Sequence, residues 1–260
     1  MKPKIPIRLG CAEDAEAIYK LKTEAFGAGY LRYTIYLAPE SVRYLRDLLA
    51  QGPAQSRHSI YVACQSREII GYYEVIHSGD DFLLNYIGVT DRAKGSGLGN
   101  HLLNHFEQTG AVAGCRRFTL DVFDSNIPAR DWYWRRGYRT LASSFQVCLP
   151  LGFLDSKEAP VLDFRREDWE AALREELLRG FSKVTCRCGP GTVTVGLIAG
   201  RVSKLLSREG VDLQSAVASI DAHLRDQREN LILAGLPEIP AEWVGLPSEK
   251  VLRLAKSVQS

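Results

Sequence analysis

Apolar positions recur along the chain at two periods, and the changes of period divide it into elements. Ala15, Ile18, Tyr19, Leu21, Ala25 and Phe26 fall near helical spacing within Ala12–Phe26, which opens on the acidic Glu13-Asp14 turn. Val42, Leu45, Leu48 and Leu49 mark a second helix over Glu40–Ala50, ended by a Gly52-Pro53 break. Ile5–Leu9, Ile60–Cys64, Ile69–Ile76 and Leu83–Val89 read as strands. Ser66-Arg67-Glu68 and Ser78-Gly79-Asp80-Asp81 separate the last three, which predicts an antiparallel meander. A helix over Gly97–Gly110, a strand over Phe118–Phe123 and a helix over Pro128–Arg136 follow. Tyr138–Leu141 and Phe145–Leu149 read as two closing strands. Strands and helices in this order predict a mixed α/β or α+β sheet.

Turn chemistry marks a boundary near residue 155. Pro150, Gly152 and the polar stretch 155–160 follow an apolar run and precede a fresh strand-then-helix pattern. Two domains are expected, one over 1–154 and an α+β domain over 155–260. The second reads as strand Val161–Phe164, helix Arg166–Leu178, a hairpin of Phe181–Cys188 and Thr192–Ile198, helix Leu213–Arg225 and strand Leu231–Leu233. Trp169, Leu173, Leu177, Leu178 and Phe181 give its helix an apolar face too broad to leave exposed, so it is expected to dock.

Composition narrows the function classes. Of 260 residues, 45% are apolar and 25% charged, the proportions of a globular protein with a sizeable core. Lys and Arg number 33 against 31 Asp and Glu, a net +2 that argues against a dedicated nucleic-acid partner. No apolar run approaches the ~20 residues of a bilayer span, so no membrane partner is expected. Met1–Leu9 is basic but lacks the apolar segment of a secretory signal. The six cysteines (Cys11, Cys64, Cys115, Cys148, Cys186, Cys188) are scattered, mostly in strand-like surroundings. Reduced, buried thiols and a cytoplasmic location are expected. Cys186 and Cys188 share a strand face, and His101 and His105 stand four apart on a helix. Neither pair has further ligands at zinc spacing, so no metal is expected.

The densest chemical signal is the stretch from Ile87 to Leu103, with glycines at 95, 97 and 99. A strand runs into a loop of alternating glycines, which runs into an amphipathic helix. Glycine lets the backbone approach a ligand closely, and the free N–H groups of a helix start carry the positive end of its dipole. That is a phosphate or pyrophosphate cradle, and Lys94 adds a full charge at its entrance. A Walker loop requires Gly-Lys-Ser/Thr, whereas the chain has Gly-Asn-His. The 95-97-99 spacing is also wrong for a dinucleotide fingerprint.

The loop resembles the acetyl-CoA loop of the GNAT N-acetyltransferase superfamily, Arg/Gln-x-x-Gly-x-Gly/Ala, in the register Lys94-x-x-Gly97-x-Gly99. Arg92-x-x-Gly95-x-Gly97 is a second register. Lys94 departs from the pattern, keeping the charge but losing the planar fork. Twenty-seven residues after Gly99, Asn126-x-x-Ala129-x-x-Trp132-Tyr133-x-x-x-Gly137-Tyr138 resembles the family's later signature, with Trp132 replacing Phe or Leu. The resemblance covers roughly residues 5–150.

What the resemblance implies is specific. The fold is a mixed, mostly antiparallel sheet with flanking helices, and residues 155–260 are a degenerate second GNAT-like half or an unrelated α+β lid. The strands around Leu83–Val89 and Phe118–Phe123 splay, and the pantetheine arm of acetyl-CoA fills the gap against Ile87 and Val89. The pyrophosphate sits on Lys94, Gly95, Ser96, Gly97, Leu98, Gly99 and Asn100, with Asn126 also near the cofactor. An acceptor amine attacks the thioester directly through a tetrahedral intermediate, and Tyr133 occupies the position of the tyrosine that protonates the leaving thiolate. No motif secures the base that takes the amine's proton. Glu74 is the leading candidate, Asn85 can bind the amine or water, and Asp121 lies on the splayed strand. Tyr30, Tyr33 and Tyr36 fall where the family builds its acceptor wall. Three readings stay open: an N-acetyltransferase acting on a small-molecule or peptide amine, an acetyl-CoA-binding sensor, and a protein acetyltransferase whose second half recruits its substrate. A monomer or homodimer is expected.

Overall fold

The computed structural model describes residues 5–53, 55–154 and 159–258, the Ala28 side chain excepted. The polar stretch 155–158 lies outside them. Backbone contacts divide the chain into two compact units. The first comprises Met1–Leu31, Val42–Ser143 and Val251–Ser260, and the second Arg32–Ser41 and Ser144–Lys250. Relative to a cut near residue 155, Arg32–Ser41 and 144–154 pass to the second unit and Val251–Ser260 to the first.

Unit 1 begins with β1 (Ile7–Leu9), α1 (Ala15–Leu31) and α2 (Ser41–Gln51). The expected meander follows as β2 (His58–Gln65), β3 (Glu68–Ser78) and β4 (Asp81–Val89). Then come α3 (Leu98–Val112), β5 (Arg117–Phe123) and α4 (Ile127–Arg135). The two closing strands expected at 138–149 are one continuous strand, β6 (Arg139–Pro150). The strand order in unit 1 is β1-β2-β3-β4-β5-β12, where β12 is Ser248–Ser257. β3 is apolar and buried on both faces because α1 and α3 pack on opposite sides of it. Leu98, Leu102, Leu103 and Phe106 form α3's inner stripe, and they join Tyr73, Phe82, Leu84 and Leu120 in the core. Gly110 is required where α3 crosses the sheet: a Cβ there would stand 2.5 Å from the Phe82 ring and 2.8 Å from that of Phe118.

β12 was not legible as a strand. Its residues Val251–Ser257 pair antiparallel with β5 from Val251↔Phe123 to Ser257↔Arg117, and Leu252 and Leu254 enter the unit 1 core.

Unit 2 runs β7 (Leu162–Asp163), α5 (Arg166–Arg179), β8 (Phe181–Cys188), β9 (Gly191–Ile198), β10 (Val202–Glu209), α6 (Leu213–Leu224) and β11 (Asn230–Leu236). Its strand order is β6-β11-β10-β9-β8-β7, with β10 and β11 parallel and residues Phe145–Pro150 of β6 antiparallel to β11. This repeats the plan of unit 1, in which three antiparallel strands lead through a helix to a parallel strand. Each unit's parallel strand takes its outer neighbour from a segment remote in sequence. Trp169 and Leu173 pack on unit 2's own core, while Leu177 and Leu178 are exposed, so the expected apolar docking face of α5 does not exist as one surface.

Candidate active site

The parallel pairing of β4 with β5 lasts only from Asp81↔Arg117 to Leu84↔Leu120. Beyond it β4 continues along β3 to Val89↔Gly71, β5 continues along β12, and the two strands part. The parting coincides with a bulge: Leu84 faces Val75 and Tyr86 faces Glu74, leaving Asn85 as the extra residue. From Asn85 to Val89, including Ile87, one edge of β4 has no strand partner among the described residues. An extended ligand can bond to such an edge as an added strand does.

At the top of β4 the glycine loop opens onto α3. Gly95 and Gly97 adopt φ of 72° and 90°, and a Cβ built on either would meet nothing within 4 Å. A side chain is thus disfavoured by the backbone at both positions although the space is open. The first helical bond runs from His101 N to Gly97 O, 3.1 Å. The Ser96 hydroxyl donates to Ala93 O and lies 3.3 Å from Leu98 N. Among the described residues the N–H groups of Gly95, Gly97, Gly99 and Asn100 have no acceptor, so they remain for an anion. These residues fit a pyrophosphate. Lys94 is paired with Asp91 at 2.6 Å, but both side chains are exposed, and such a pair gives way readily to a stronger anion. The Asn100 side chain accepts from Trp132 Nε1 at 2.8 Å and so ties α3 to α4.

Unit 2 offers the opposite chemistry at the matching point. Asp212 caps α6, its carboxylate accepting from Ser215 N at 2.8 Å, and Glu209-Gly210-Val211 precede it. A fixed negative charge stands where a phosphate would have to go.

Asn126 caps α4, its side-chain oxygen accepting from Ala129 N at 3.3 Å. Pro128 occupies the first turn and Gly137, at φ 91°, ends it. Asn126 thus has a local structural task whatever it does for a cofactor. This helix carries Tyr133, a buried side chain packed on Trp132 and Tyr138. Its hydroxyl has no hydrogen-bond partner among the described residues. Burial, then the neighbouring Tyr30, raises its pKa far above the usual phenol range, so it holds its proton.

On the α1 side of the sheet lies a polar cluster. Lys22 Nζ donates to Glu74 Oε2 at 2.7 Å with neither side chain reaching solvent, and the ammonium sits 3.8 Å from the centre of the Tyr86 ring. Asn85 Nδ2 donates to Glu74 Oε1 at 2.7 Å, and His58 Nδ1 lies 3.5 Å from the same oxygen. Burial alone would raise the Glu74 carboxyl; the Lys22 charge, the nearby His58 ring and the hydrogen bonds from Lys22 and Asn85 outweigh it and hold it well below the usual range. The residue expected as base is therefore a saturated anion with weak proton affinity. Beside it the Tyr72 hydroxyl is fully buried with no hydrogen-bond partner among the described residues.

Tyr30 stacks on Phe26 at 4.8 Å and meets Tyr86 and Phe123 edge-on. Burial, then Asp121, pushes its hydroxyl up to about 12, and it hydrogen-bonds to Tyr86. The structure thus gathers Tyr30, Glu74, Asn85, Ile87, Val89, the loop and Tyr133 in unit 1. Tyr33 belongs to unit 2, where it is buried with Cys148, Arg32 and Glu249 as its titratable neighbours. Lys22 is not among the sequence-based candidates although its position gives a signal, for a lysine four residues after Ile18 lies on α1's apolar stripe. His101 Nε2 meets Ile5 O and His105 Nδ1 meets the Tyr73 hydroxyl, so neither shares a ligand with the other.

The Acetyltransferase (GNAT) family model matches residues 15–138. A protein of Pseudomonas phage PaMx11, named 5-NmdU N-acetyltransferase, is 36% identical over 109 residues, covering 39% of this chain and 76% of that relative. The chain belongs to the GNAT acetyltransferase family. Membership makes it an N-acetyltransferase by class. A tandem GNAT protein from the clavulanic acid biosynthesis pathway, solved without acetyl-CoA, matches with TM-score 0.70 at 12% identity over 99% of each chain. A GCN5-related N-acetyltransferase from Sphaerobacter thermophilus matches with TM-score 0.66 at 17% identity over 100% of this chain and 98% of that one. At such identities the likeness is one of fold, and it spans both units. No helix among the described residues is long and apolar enough to cross a membrane.

Proposed function

We propose that this GNAT-family chain transfers the acetyl group of acetyl-CoA to the amine of a small molecule or peptide, using unit 1 alone for the donor. The observation that carries the reading is the parting of β4 and β5 directly below an open glycine loop with unbonded N–H groups. The pyrophosphate rests on residues 94–100 and the pantetheine arm lies along Ile87–Val89. In this reading the thioester lies between the strands and Tyr133 is the residue that serves its sulfur. A protonated phenol in a buried site is a competent acid for a departing thiolate, and proton donation of this kind is worth ~10²–10⁴ in rate.

The test is acetyl-CoA turnover over a panel of amines, led by 5-NmdU because the phage relative is named for it, with polyamines, aminoglycosides, amino acids and lysine peptides beside it. Tyr133→Phe is expected to lower kcat by ~10²–10⁴ while acetyl-CoA affinity by calorimetry stays within twofold. Turnover unchanged where chemistry limits the rate would remove Tyr133 from the reaction.

A further inference from the structure

Two carboxylates border the parted strands, and only one of them is open to a diffusing amine. Glu74 on β3 is sealed from solvent, with both oxygens engaged. Asp121 on β5 is the first residue past the last β4–β5 pair, and 44% of its side chain is exposed. Phe123, two residues further along the same face of β5, meets Tyr30 edge-on, which puts Asp121 on the Tyr30 side of the sheet beside the parting. On its other edge β5 pairs with β12 in a register that places Arg253 opposite Asp121. The guanidinium grips both carboxylate oxygens, Nη2 to Oδ2 at 2.7 Å and Nε to Oδ1. A two-point grip fixes the carboxylate plane as a single ammonium does not.

Building on the acetyl-transfer reading above, we infer that Asp121 receives the acceptor's ammonium and that Arg253, delivered by the C-terminal strand, is its positioning residue. The acceptor is accordingly an alkyl amine, received by a carboxylate whose plane Arg253 fixes beside the aromatic wall of Phe26, Tyr30 and Phe123. The ammonium gives one proton to Asp121. The neutral nitrogen forms the C–N bond as the C–S bond breaks, the Tyr133 proton goes to sulfur, and the nitrogen's second proton restores the tyrosine. Charge and protons then balance, with N-acetylated amine, CoA thiol and a protonated Asp121 that releases its proton to solvent.

The experiment compares the full-length chain with Asp121→Asn, Arg253→Gln, Arg253→Lys and the Asp121→Asn/Arg253→Gln double variant. Steady-state kinetics use the panel amine with the highest kcat/KM, and calorimetry measures that amine binding to the CoA complex, where no transfer can occur. Arg253→Gln is expected to weaken amine binding and lower kcat/KM for the amine by about tenfold, with acetyl-CoA affinity within twofold. Arg253→Lys should recover part of the loss, and the double variant should lose no more than Asp121→Asn alone. Amine binding unaffected by Arg253→Gln, or losses that simply add in the double variant, would overturn the inference. A loss of acetyl-CoA affinity in step with amine affinity would do so too, by reducing Arg253 to a structural strut. Failure of the unaltered chain to bind CoA or to acetylate any amine would instead overturn the function on which the inference rests.

Discussion

Lys22 and Glu74 meet where neither touches water, and removing either charge strands the other. Glu74→Gln is expected to cost ~3–5 kcal/mol, because an unpaired buried ammonium must lose its proton or draw in solvent. Lys22→Met combined with Glu74→Gln should cost less than Glu74→Gln alone, which urea midpoints would show. The pair also sets a pH dependence. Glu74 has a folded pKa near 2 against 4.5 in the unfolded chain. Its stabilisation is therefore complete above about pH 4.5 and lost as the pH falls from there towards about 2. Unfolding from pH 7 to pH 3 should thus be steeper in pH for the natural chain than for the double variant; equal slopes would detach the pair from acid stability. These roles were partly legible in the chain. Glu74 was visible as a carboxylate on an apolar strand, but that its oxygens were already spoken for depended on Lys22, 52 residues earlier.

The elements assigned to the donor in the proposal are local, and local patterns reveal them. Gly95, Gly97 and the apolar stripe of α3 lie within a score of residues, so period and glycine spacing sufficed. β12 is the contrary case. Ser248–Ser257 holds Glu, Lys, Leu, Arg and Ala and no glycine or proline, a composition at home in a helix. It is a strand because β5 offers an open edge, and Arg253 meets an aspartate 132 residues away. β10 is fixed by its partners too, β9 across a short turn and β11 beyond α6. The helix starts permit a sharper expectation. Since α3 opens on free N–H groups and α6 on Asp212, calorimetry should find one acetyl-CoA per chain. Two equivalent sites would contradict the contrast between the two helix starts.

For the whole molecule, the consequence is that unit 1 is not made by the N-terminal half alone. A chain ended at Leu154 would lack β12. Leu252 and Leu254 would leave the core, at ~1.5–3 kcal/mol each. Glu107 would lose Lys256, which now bonds both its oxygens at 2.9 and 2.8 Å, and the edge of β5 would stand open. Such a chain is expected to unfold at markedly lower urea and to bind acetyl-CoA poorly. Joining residues 246–258 to its end through a flexible linker should restore much of both. If the shortened chain matched the full one in stability and affinity, β12 would be dispensable to unit 1.

In the proposed function, the loop at the head of α3 holds the donor. Titrating acetyl-CoA into the natural chain and into Gly97→Glu by calorimetry tests it most directly. At φ 90° a side chain strains the backbone, and a carboxylate there faces the phosphates, so circular dichroism must first show the variant folded. One site is expected in the natural chain and none detectable in the folded variant. Unchanged affinity in that variant would place the donor elsewhere and contradict the proposal.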